Sequence, residues 1–288
     1  MRLATIRTAD GTVAARVDTS PEGSLTATEI TGVADVGALL TLPGWRDRAA
    51  DSTGATHDFA ATDVATLIPN PRKVVCVGLN YRSHILEMGR DLPEYPTLFA
   101  KFPEALIGAG DQIEIPPVSD AVDWECELVV VVGTPVRGAD RDEAERAIAG
   151  YTIMNDVTMR DYQFRTREWL QGKTFENTTP VGPVLVTADE WQPGPTIRTI
   201  VDGEVVQEAS TGDLVFDPIA LVSYVSAVIT LQPGDIIATG TPGGVGHARK
   251  PPRYLAPGAR VQTIIDGIGE LDNTCVAVDV RGRHAVTA

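Results

Sequence analysis

Residues 123–132 read DWECELVVVV, in which two glutamates spaced two positions apart lead directly into an apolar run. In a β-strand, residues two apart share a face, so Glu125 and Glu127 project together while Cys126 points the other way. Two adjacent carboxylates repel each other, and burying them unpaired is costly unless a divalent cation binds between them. The alternative is a solvated strand edge, and this segment alone favours neither.

Strand-like segments dominate the chain on both sides of this stretch. A hairpin is predicted for residues 2–7 and 12–17, around the turn Ala9-Asp10-Gly11. Further strands are predicted at residues 73–78, 113–115, 125–132, 152–155, 183–187, 196–201, 204–207, 235–239, 260–265 and 274–280. Helices are predicted at residues 83–89 (one or two turns), 142–149 and 218–231. Because strands outnumber helices and are irregularly spaced, we expect an α+β, β-rich fold rather than alternating βαβ units.

A boundary is predicted at Pro69-Asn70-Pro71, because prolines at both positions disfavour a continuing helix or strand. We therefore expect a small N-terminal domain at residues 1–68 and a larger domain at residues 69–288. Residues 43–63 are mostly polar and small, which indicates a linker.

Composition restricts the classes of partner. The 288 residues carry 24 Lys and Arg against 39 Asp and Glu, and the net charge of −15 disfavours nucleic acid and anionic membranes. The longest apolar run is too short to cross a bilayer, and the N-terminus lacks the features of a signal peptide. Three isolated cysteines argue against a disulfide framework and against a thiolate zinc site. We expect a soluble cytoplasmic protein.

A third carboxylate, Asp156, follows Asn155 at the end of another predicted strand. Brought in from a neighbouring strand, it would complete a shell of three carboxylates with positions left open for water and substrate. Oxygen ligands suit Mg²⁺ or Mn²⁺. Zinc fits less well, since no cluster of histidines or thiolates accompanies these residues.

His84 and Glu87 are spaced to share one face of a helical turn, where the carboxylate would orient the imidazole as a base. An ordinary surface pair is the alternative at that spacing. The other histidines, His57, His247 and His284, lie in linker, loop and tail contexts; of these, His247 is a weak competitor.

Candidate substrate-binding groups follow the third carboxylate. Arg160 and Gln163 lie four and seven residues beyond Asp156, where a helix would present them near a metal. Lys173 lies among polar residues, and an exposed lysine is the alternative. Residues 240–246 form a glycine-rich loop that allows close backbone approach to a small anion, with Thr241 as a donor. A plain tight turn is equally consistent with that loop, which matches neither the P-loop nor the dinucleotide-binding pattern.

These pieces occur in the order found in the fumarylacetoacetate hydrolase family, which the chain resembles from about residue 69 to 280. The motifs that carry the resemblance are Val77-Gly78-Leu79-Asn80-Tyr81-x-x-His84-x-x-Glu87-Met88-Gly89, Asp123-Trp124-Glu125-x-Glu127-Leu128, Asn155-Asp156-Val157-Thr158-x-Arg160-Asp161, Gly172-Lys173-Thr174-Phe175 and Pro233-Gly234-Asp235-Ile236-Ile237-Ala238-Thr239-Gly240-Thr241-Pro242-x-Gly244-Val245-Gly246. The resemblance implies a mixed β-sandwich roll, a homodimer, a catalytic domain at residues 69–288, and Mg²⁺ or Mn²⁺ bound by three carboxylates.

Residue roles carry over from the resemblance position by position. It implies the metal ligands Glu125, Glu127 and Asp156. It implies the catalytic residues His84, Glu87 and Lys173. It implies the substrate-binding residues Arg160, Gln163 and Thr241.

Within the family, residues 164–174 and 246–251 are most similar to acylpyruvate hydrolases, especially fumarylpyruvate hydrolases of aromatic (gentisate) catabolism. The resulting hypothesis is that His84, oriented by Glu87, deprotonates a water that attacks the C4 carbonyl of an acylpyruvate, and that the C3–C4 bond then breaks. Oxaloacetate decarboxylation and isomerisation or hydration of a 2-oxo-diene-dioate use the same metal core and stay open. A non-catalytic, metal-stabilised binding protein is the alternative of another class.

Overall fold

The computed structural model describes residues 1–19, 23–59, 63–87, 89–279 and 281. The strands are β1 (Arg2–Thr8), β2 (Gly11–Thr19), β3 (Leu25–Glu29), β4 (Thr56–Asp58), β5 (Val74–Gly78), β6 (Thr97–Lys101), β7 (Leu106–Ile107), β8 (Ile113–Ile115), β9 (Val122–Asp123), β10 (Cys126–Val132), β11 (Ile148–Asn155), β12 (Thr158–Met159), β13 (Thr179–Thr187), β14 (Thr196–Val201), β15 (Glu204–Ser210), β16 (Ile236–Ala238), β17 (Arg260–Ile265) and β18 (Gly269–Ala277). The helices are α1 (Val36–Leu40), α2 (Trp45–Ala50), α3 (Arg82–Glu87), α4 (Arg141–Ala147), α5 (Arg160–Gln163), α6 (Leu170–Lys173) and α7 (Pro218–Val228).

Over the described residues, the strands form three sheets, two of which combine parallel and antiparallel neighbours. The largest runs β4-β3-β2-β1-β13-β11-β10-β16-β5-β6, with β7 paired to β13. A second sheet runs β15-β14-β17-β18-β8, and β12 pairs with β9. Most neighbours are antiparallel, but β16–β5, β13–β7 and β18–β8 are parallel. The β-rich α+β class predicted from the sequence is confirmed.

Strand β10 is buried along its whole length because both faces of the sheet are covered. Cys126, Leu128, Val130 and Val132 pack into one apolar cluster. The intervening Val129 and Val131 pack into a second cluster on the opposite face. This alternation, with a period of two, places Glu127 on the Val129 face, so a charged side chain enters the interior.

The N-terminal residues extend the main sheet through the antiparallel pairing of β1 with β13, in which Leu3 lies opposite Leu185. The division of the chain after residue 68 stays a prediction. The linker expected at residues 43–63 is wrong, because this stretch contains α2 and β4. Trp45 and Ala49, four residues apart on α2, are both buried in the core, which explains why the segment is helical.

Several predicted elements match closely, including the first hairpin and strands β8, β14 and β17. Helix α7 ends at Val228, three residues earlier than predicted, and β11 begins at Ile148, where the predicted α4 was to continue. In the described part of the chain, no helix combines the length and apolar character needed to cross a membrane.

Leu128→Ala should lower the free energy of unfolding by about 2–5 kcal/mol, because the side chain is fully buried in the centre of β10 and its loss leaves a cavity. Denaturant titration followed by circular dichroism measures the change. The matched control is Leu86→Ala, at a side chain that is 56% exposed, with an expected change within about 0.5 kcal/mol. Equal effects of the two substitutions would contradict the assigned core.

Candidate metal centre and active site

Glu125, Glu127 and Asp156 come together at the end of the β10–β11 pair. One carboxylate oxygen from each lies within 4.8 Å of the others, and all three residues are buried. Cys126 is paired with Asn155 in the ladder, and the Asp156 N–H donates to the Glu125 carbonyl at 2.8 Å. The register of these two strands therefore brings the three carboxylates together, as the sequence predicted. Their role as metal ligands stays a prediction.

Asn155 fixes the backbone at this point. Its Oδ1 accepts a hydrogen bond from the Glu125 N–H at 3.0 Å, and its Nδ2 donates to Thr263 Oγ1 at 2.9 Å. The side chain is fully buried, so the contacts are shielded from competing water. Asn155 thus ties the carboxylates to strand β17 of the second sheet.

Three buried cations surround two of the carboxylates. Lys173 Nζ donates to Glu125 Oε2 and Asp156 Oδ2, both at 2.7 Å. Lys101 Nζ donates to Asp156 Oδ1 at 2.7 Å, and Arg160 Nη2 lies 2.7 Å from Glu125 Oε1. Lys101 belongs to this cluster by its contact with Asp156, and the sequence analysis did not identify it.

These contacts determine the protonation states of Asp156 and Lys173. Burial alone would raise the pKa of Asp156, but attraction to Lys101 and Lys173 outweighs it and holds that pKa below its usual value. Burial alone would lower the pKa of Lys173, but the charges of Asp156 and Glu125 raise it above its usual value. Lys173 is therefore a fixed ammonium ion bound to the carboxylates, and the alternative of an exposed lysine is wrong.

Glu127 differs from its two neighbours. Its Oε2 accepts one hydrogen bond, from the Gly240 N–H at 2.8 Å, and within the described residues no Lys, Arg or His forms an ion pair with it. Burial raises its pKa well above the usual value, and repulsion from Asp156 and Glu125 adds to the effect. A buried carboxylate in this position fits a divalent cation, which would supply the missing positive charge.

Arg160 and Gln163 extend the cluster along α5. Arg160 Nη1 donates to Gln163 Oε1 at 2.9 Å, and Arg160 Nε donates to Asp123 Oδ2 at 2.8 Å. Asp123 also accepts from the Gly246 and His247 N–H groups at 2.7 and 2.9 Å. Asp123 is thus the residue that joins α5 to the glycine-rich loop, a role that its position in the 123–132 motif did not reveal.

The glycine-rich loop packs closely against its surroundings. A Cβ on Gly246 would lie 1.9 Å from the Arg253 carbonyl, so no larger residue fits there. The Thr241 hydroxyl lies against Gln207, whose Nε2 donates to it at 2.9 Å, and the Gln207 Oε1 accepts from the Cys126 N–H at 3.1 Å. The predicted contact of Thr241 with substrate stays a prediction.

His84 lies on α3 and lines a cavity of about 290 Å³ together with Glu87, Tyr81 and Gly243. Burial lowers the pKa of His84 from its usual 6.5, against the opposing effect of the negative charges on Glu87 and Glu125. A Cβ on Gly243 would lie 2.9 Å from His84 Nδ1, so the glycine makes room for the ring. The structure shows no direct hydrogen bond between the described side chains of His84 and Glu87.

Helix α3 is held in place by residues far along the chain. The Arg82 N–H donates to the Asp213 carbonyl at 2.9 Å, and the Ser83 N–H donates to Asp213 Oδ2 at 3.0 Å. Asn80, just before the helix, donates from Nδ2 to the Thr239 carbonyl at 2.8 Å. These bonds fix His84 beside the strand end that also bears Gly240.

The other histidines have different surroundings. His57 is exposed and its Nε2 lies 2.7 Å from Glu29 Oε1 on the adjacent strand β3. His247 is exposed beside Asp123, with Nδ1 2.8 Å from Tyr254 Oη. His284 lies outside the described residues.

The sequence of the chain is similar to that of known proteins. Residues 73–276 match the family model described as fumarylacetoacetate (FAA) hydrolase C-terminal. The oxaloacetate tautomerase FAHD2A, mitochondrial, of Homo sapiens is 42% identical over 221 residues, or 75% of this chain and 70% of the relative. The corresponding protein of Xenopus laevis, oxaloacetate tautomerase fahd2, mitochondrial, is 40% identical over 226 residues, or 76% of this chain and 71% of the relative.

Solved structures of similar proteins support the same family assignment. A fumarylacetoacetate hydrolase from the psychrophile Exiguobacterium antarcticum aligns with a TM-score of 0.85 at 31% identity, covering 96% of this chain and 100% of the other. A 2-hydroxyhepta-2,4-diene-1,7-dioate isomerase from Mycobacterium marinum aligns with a TM-score of 0.79 at 34% identity, covering 96% of this chain and 98% of the other. The predicted mixed β-sandwich roll is confirmed, and the chain belongs to the fumarylacetoacetate hydrolase family.

Proposed function

We propose that this protein is a divalent-metal-dependent enzyme that forms the enolate of a small anionic 2-oxo acid, and that its reaction is the keto–enol tautomerisation of oxaloacetate. The observation that carries the proposal is the buried cluster of Glu125, Glu127 and Asp156, together with a His84 ring that packs against Gly243 of the same loop whose Gly240 N–H donates to Glu127. The relatives that are 40–42% identical are named oxaloacetate tautomerases, which supports this choice of substrate.

Glu125, Glu127 and Asp156 would hold Mg²⁺ or Mn²⁺, because all three offer carboxylate oxygens, the ligands that these hard cations prefer. A bound cation would act as a Lewis acid that polarises the 2-oxo group and stabilises negative charge on its oxygen.

Charge balance favours an anionic substrate. With Asp123, Glu125, Glu127 and Asp156 ionised, and with Lys101, Lys173 and Arg160 protonated, the cluster has a formal charge of −1. A divalent cation would change this to +1. The site would then attract a carboxylate although the whole chain carries a charge of −15.

His84 is the base of the proposed reaction. Its lowered pKa keeps the imidazole neutral near pH 7, so its free nitrogen can take a proton from C3 of the keto form. The electrons of the C–H bond form the C2–C3 double bond, and the 2-oxo oxygen gains the charge. Protonation of that oxygen gives the enol, and protonation at C3 returns the keto form, so atoms and charge balance in both directions. Lys173, held as a cation, places a positive charge beside this centre.

Acylpyruvate hydrolysis, including that of fumarylpyruvate, is the second candidate. The cavity that Glu87 shares with His84, about 290 Å³, is large enough to hold water, which hydrolysis consumes as a substrate and tautomerisation does not. Oxaloacetate decarboxylation would instead start from the keto form and generate the enolate of pyruvate as CO2 leaves, and 2-oxo-diene-dioate isomerisation would pass through a conjugated dienolate. A bound cation would stabilise either anion in the same way. A non-catalytic, metal-stabilised protein would explain the carboxylates but not the placement of His84 beside them.

Product analysis separates these reactions. Purified protein with Mg²⁺ should accelerate the decay of enol absorbance in fresh oxaloacetate solutions, with NMR showing keto oxaloacetate and no excess pyruvate. Pyruvate release would indicate decarboxylation, and consumption of fumarylpyruvate would indicate hydrolysis. No turnover of any 2-oxo acid would refute the enzymatic proposal. The homodimer and the cytoplasmic location stay predictions, and the relatives named above are described as mitochondrial.

Glu127→Gln should raise the stability of the metal-free protein while abolishing its stabilisation by Mg²⁺ or Mn²⁺. The substitution replaces a buried carboxyl group, whose pKa is raised by burial, with a neutral amide, and the amide oxygen can still accept from the Gly240 N–H. Relief of about 1 kcal/mol would raise Tm by roughly 2–4 °C. Thermal unfolding of both proteins, with EDTA and with added metal, measures the two effects.

The sign of the pH dependence provides a further check. Because folding raises the pKa of Glu127, the wild-type protein should lose stability relative to the variant as pH rises above the usual carboxyl value of 4.5. Glu145→Gln, at an exposed position on α4, is the matched control and should change neither Tm nor the response to metal. Metal-induced stabilisation that survives in Glu127→Gln would contradict the proposed ligand set.

His84→Gln should lower kcat by about 10²–10⁴-fold because the base is lost, while leaving the affinity for Mn²⁺ close to wild type. The active form is the neutral imidazole, so wild-type kcat should fall as pH drops through a pKa below 6.5. Steady-state rates across pH and calorimetric metal titration give the two quantities. His57→Gln, at an exposed residue paired with Glu29, serves as the control. Wild-type kcat in His84→Gln would exclude His84 as the base.

A further inference from the structure

Three aromatic rings form a row beside the carboxylate cluster, here called the aromatic wall: Phe164 and His247, which are exposed, and Tyr254, which is half-buried. The Phe164 and His247 rings are 5.1 Å apart and inclined by 33°, and the His247 and Tyr254 rings are 6.2 Å apart and inclined by 34°. Phe164 comes directly after α5, whereas the other two belong to the segment that follows the glycine-rich loop. Phe164 is 58% exposed, although burial of its ring would be favourable.

The wall is tied to the cluster by short links. The Phe164 N–H donates to the Arg160 carbonyl at 3.1 Å. The His247 N–H and Arg160 Nε donate to the same Asp123 oxygen, at 2.9 and 2.8 Å. Arg160 in turn lies 2.7 Å from Glu125 Oε1. A single residue, Arg160, therefore connects the aromatic wall to Glu125, a proposed metal ligand.

Within the cluster, residual solvent exposure is highest at Glu125 and Arg160, the two residues that link the cluster to the wall. Glu125 and Arg160 are each 6% exposed, whereas Glu127 is 1% and Asp156 0% exposed. A 2-oxo acid that approaches from solvent would therefore meet Glu125 before Glu127 or Asp156, with the aromatic wall on the Arg160 side.

We propose that the aromatic wall determines substrate specificity by stacking against a planar, uncharged substituent at the distal end of the 2-oxo acid. This inference rests on the proposed function and extends it beyond oxaloacetate to 2-oxo acids that carry an aryl or conjugated acyl group. Two arginines of the same segment support the choice of an uncharged group, because Arg249 and Arg253 are directed to Glu204 at 3.2 and 2.6 Å rather than toward the wall.

The competing explanation is that the rings only anchor the loop that contains His247. If the rings stack on the substrate, their loss should weaken binding only of ligands that carry a ring. If the rings only anchor the loop, their loss should change the affinity for ligands with and without a ring equally. The two probes are therefore phenylpyruvate and pyruvate, which share the 2-oxo acid group and differ by the phenyl substituent. Their dissociation constants are measured by calorimetry with Mg²⁺-loaded protein, so the result does not depend on turnover.

The wild-type protein should bind phenylpyruvate more tightly than pyruvate, and Phe164→Ala should reduce this preference by about three- to tenfold. Phe164→Tyr, which keeps the ring, should restore it. Tyr224→Ala removes a partly exposed ring on α7 and is the matched control, with the wild-type preference expected.

Equal affinity of the wild-type protein for the two probes would overturn the inference. So would an equal loss of affinity for both probes in Phe164→Ala, since that result would mean that the ring acts through the metal centre or the loop. Failure of the proposed function gives a different outcome, namely a protein that prefers phenylpyruvate but does not accelerate oxaloacetate enolisation.

Discussion

Four carboxyl groups and three cationic side chains lie buried where β10 begins and β11 ends, and the balance of charge between them governs the rest of the site. Asp123, Glu125 and Asp156 each contact a lysine or arginine, so their burial is compensated within the described residues. Glu127 instead has a backbone N–H from Gly240. Among the described residues, Glu127 is thus a buried carboxyl group with no cationic side chain in contact, which disfavours its ionised form in the absence of metal and suits it to binding a divalent ion.

Distant segments converge on this cluster because each contributes a charge or a hydrogen bond. Strand β6 contributes Lys101, α6 contributes Lys173, and α5 contributes Arg160. The glycine-rich loop is fixed to the cluster by Asp123, and α3 is fixed beside it through Asn80 and Asp213. A rigid arrangement of this kind favours electrostatic catalysis, since the charges are already oriented before substrate binds.

Sequence reasoning found the parts of the site that a local pattern encodes. The spacing of Glu125 and Glu127 follows from strand geometry, and Asp156 could be added because it ends a second strand. Lys101 was missed because it is a single lysine at the end of a strand that was not predicted, and only the pairing of β6 beyond β5 brings it to Asp156. Helix α2 was missed because its polar composition masks the packing of Trp45 and Ala49 in the core. In both cases long-range packing decided the outcome, and composition did not encode it.

The central claim is that Glu125, Glu127 and Asp156 together bind one hard cation beside His84. Anomalous diffraction from crystals grown with Mn²⁺ tests it most directly, because the signal locates the metal independently of the atomic coordinates. The account predicts a single strong peak between the three carboxylates, with metal–oxygen distances of about 2.0–2.3 Å. A peak elsewhere, or no peak at this cluster at saturating Mn²⁺, would contradict it.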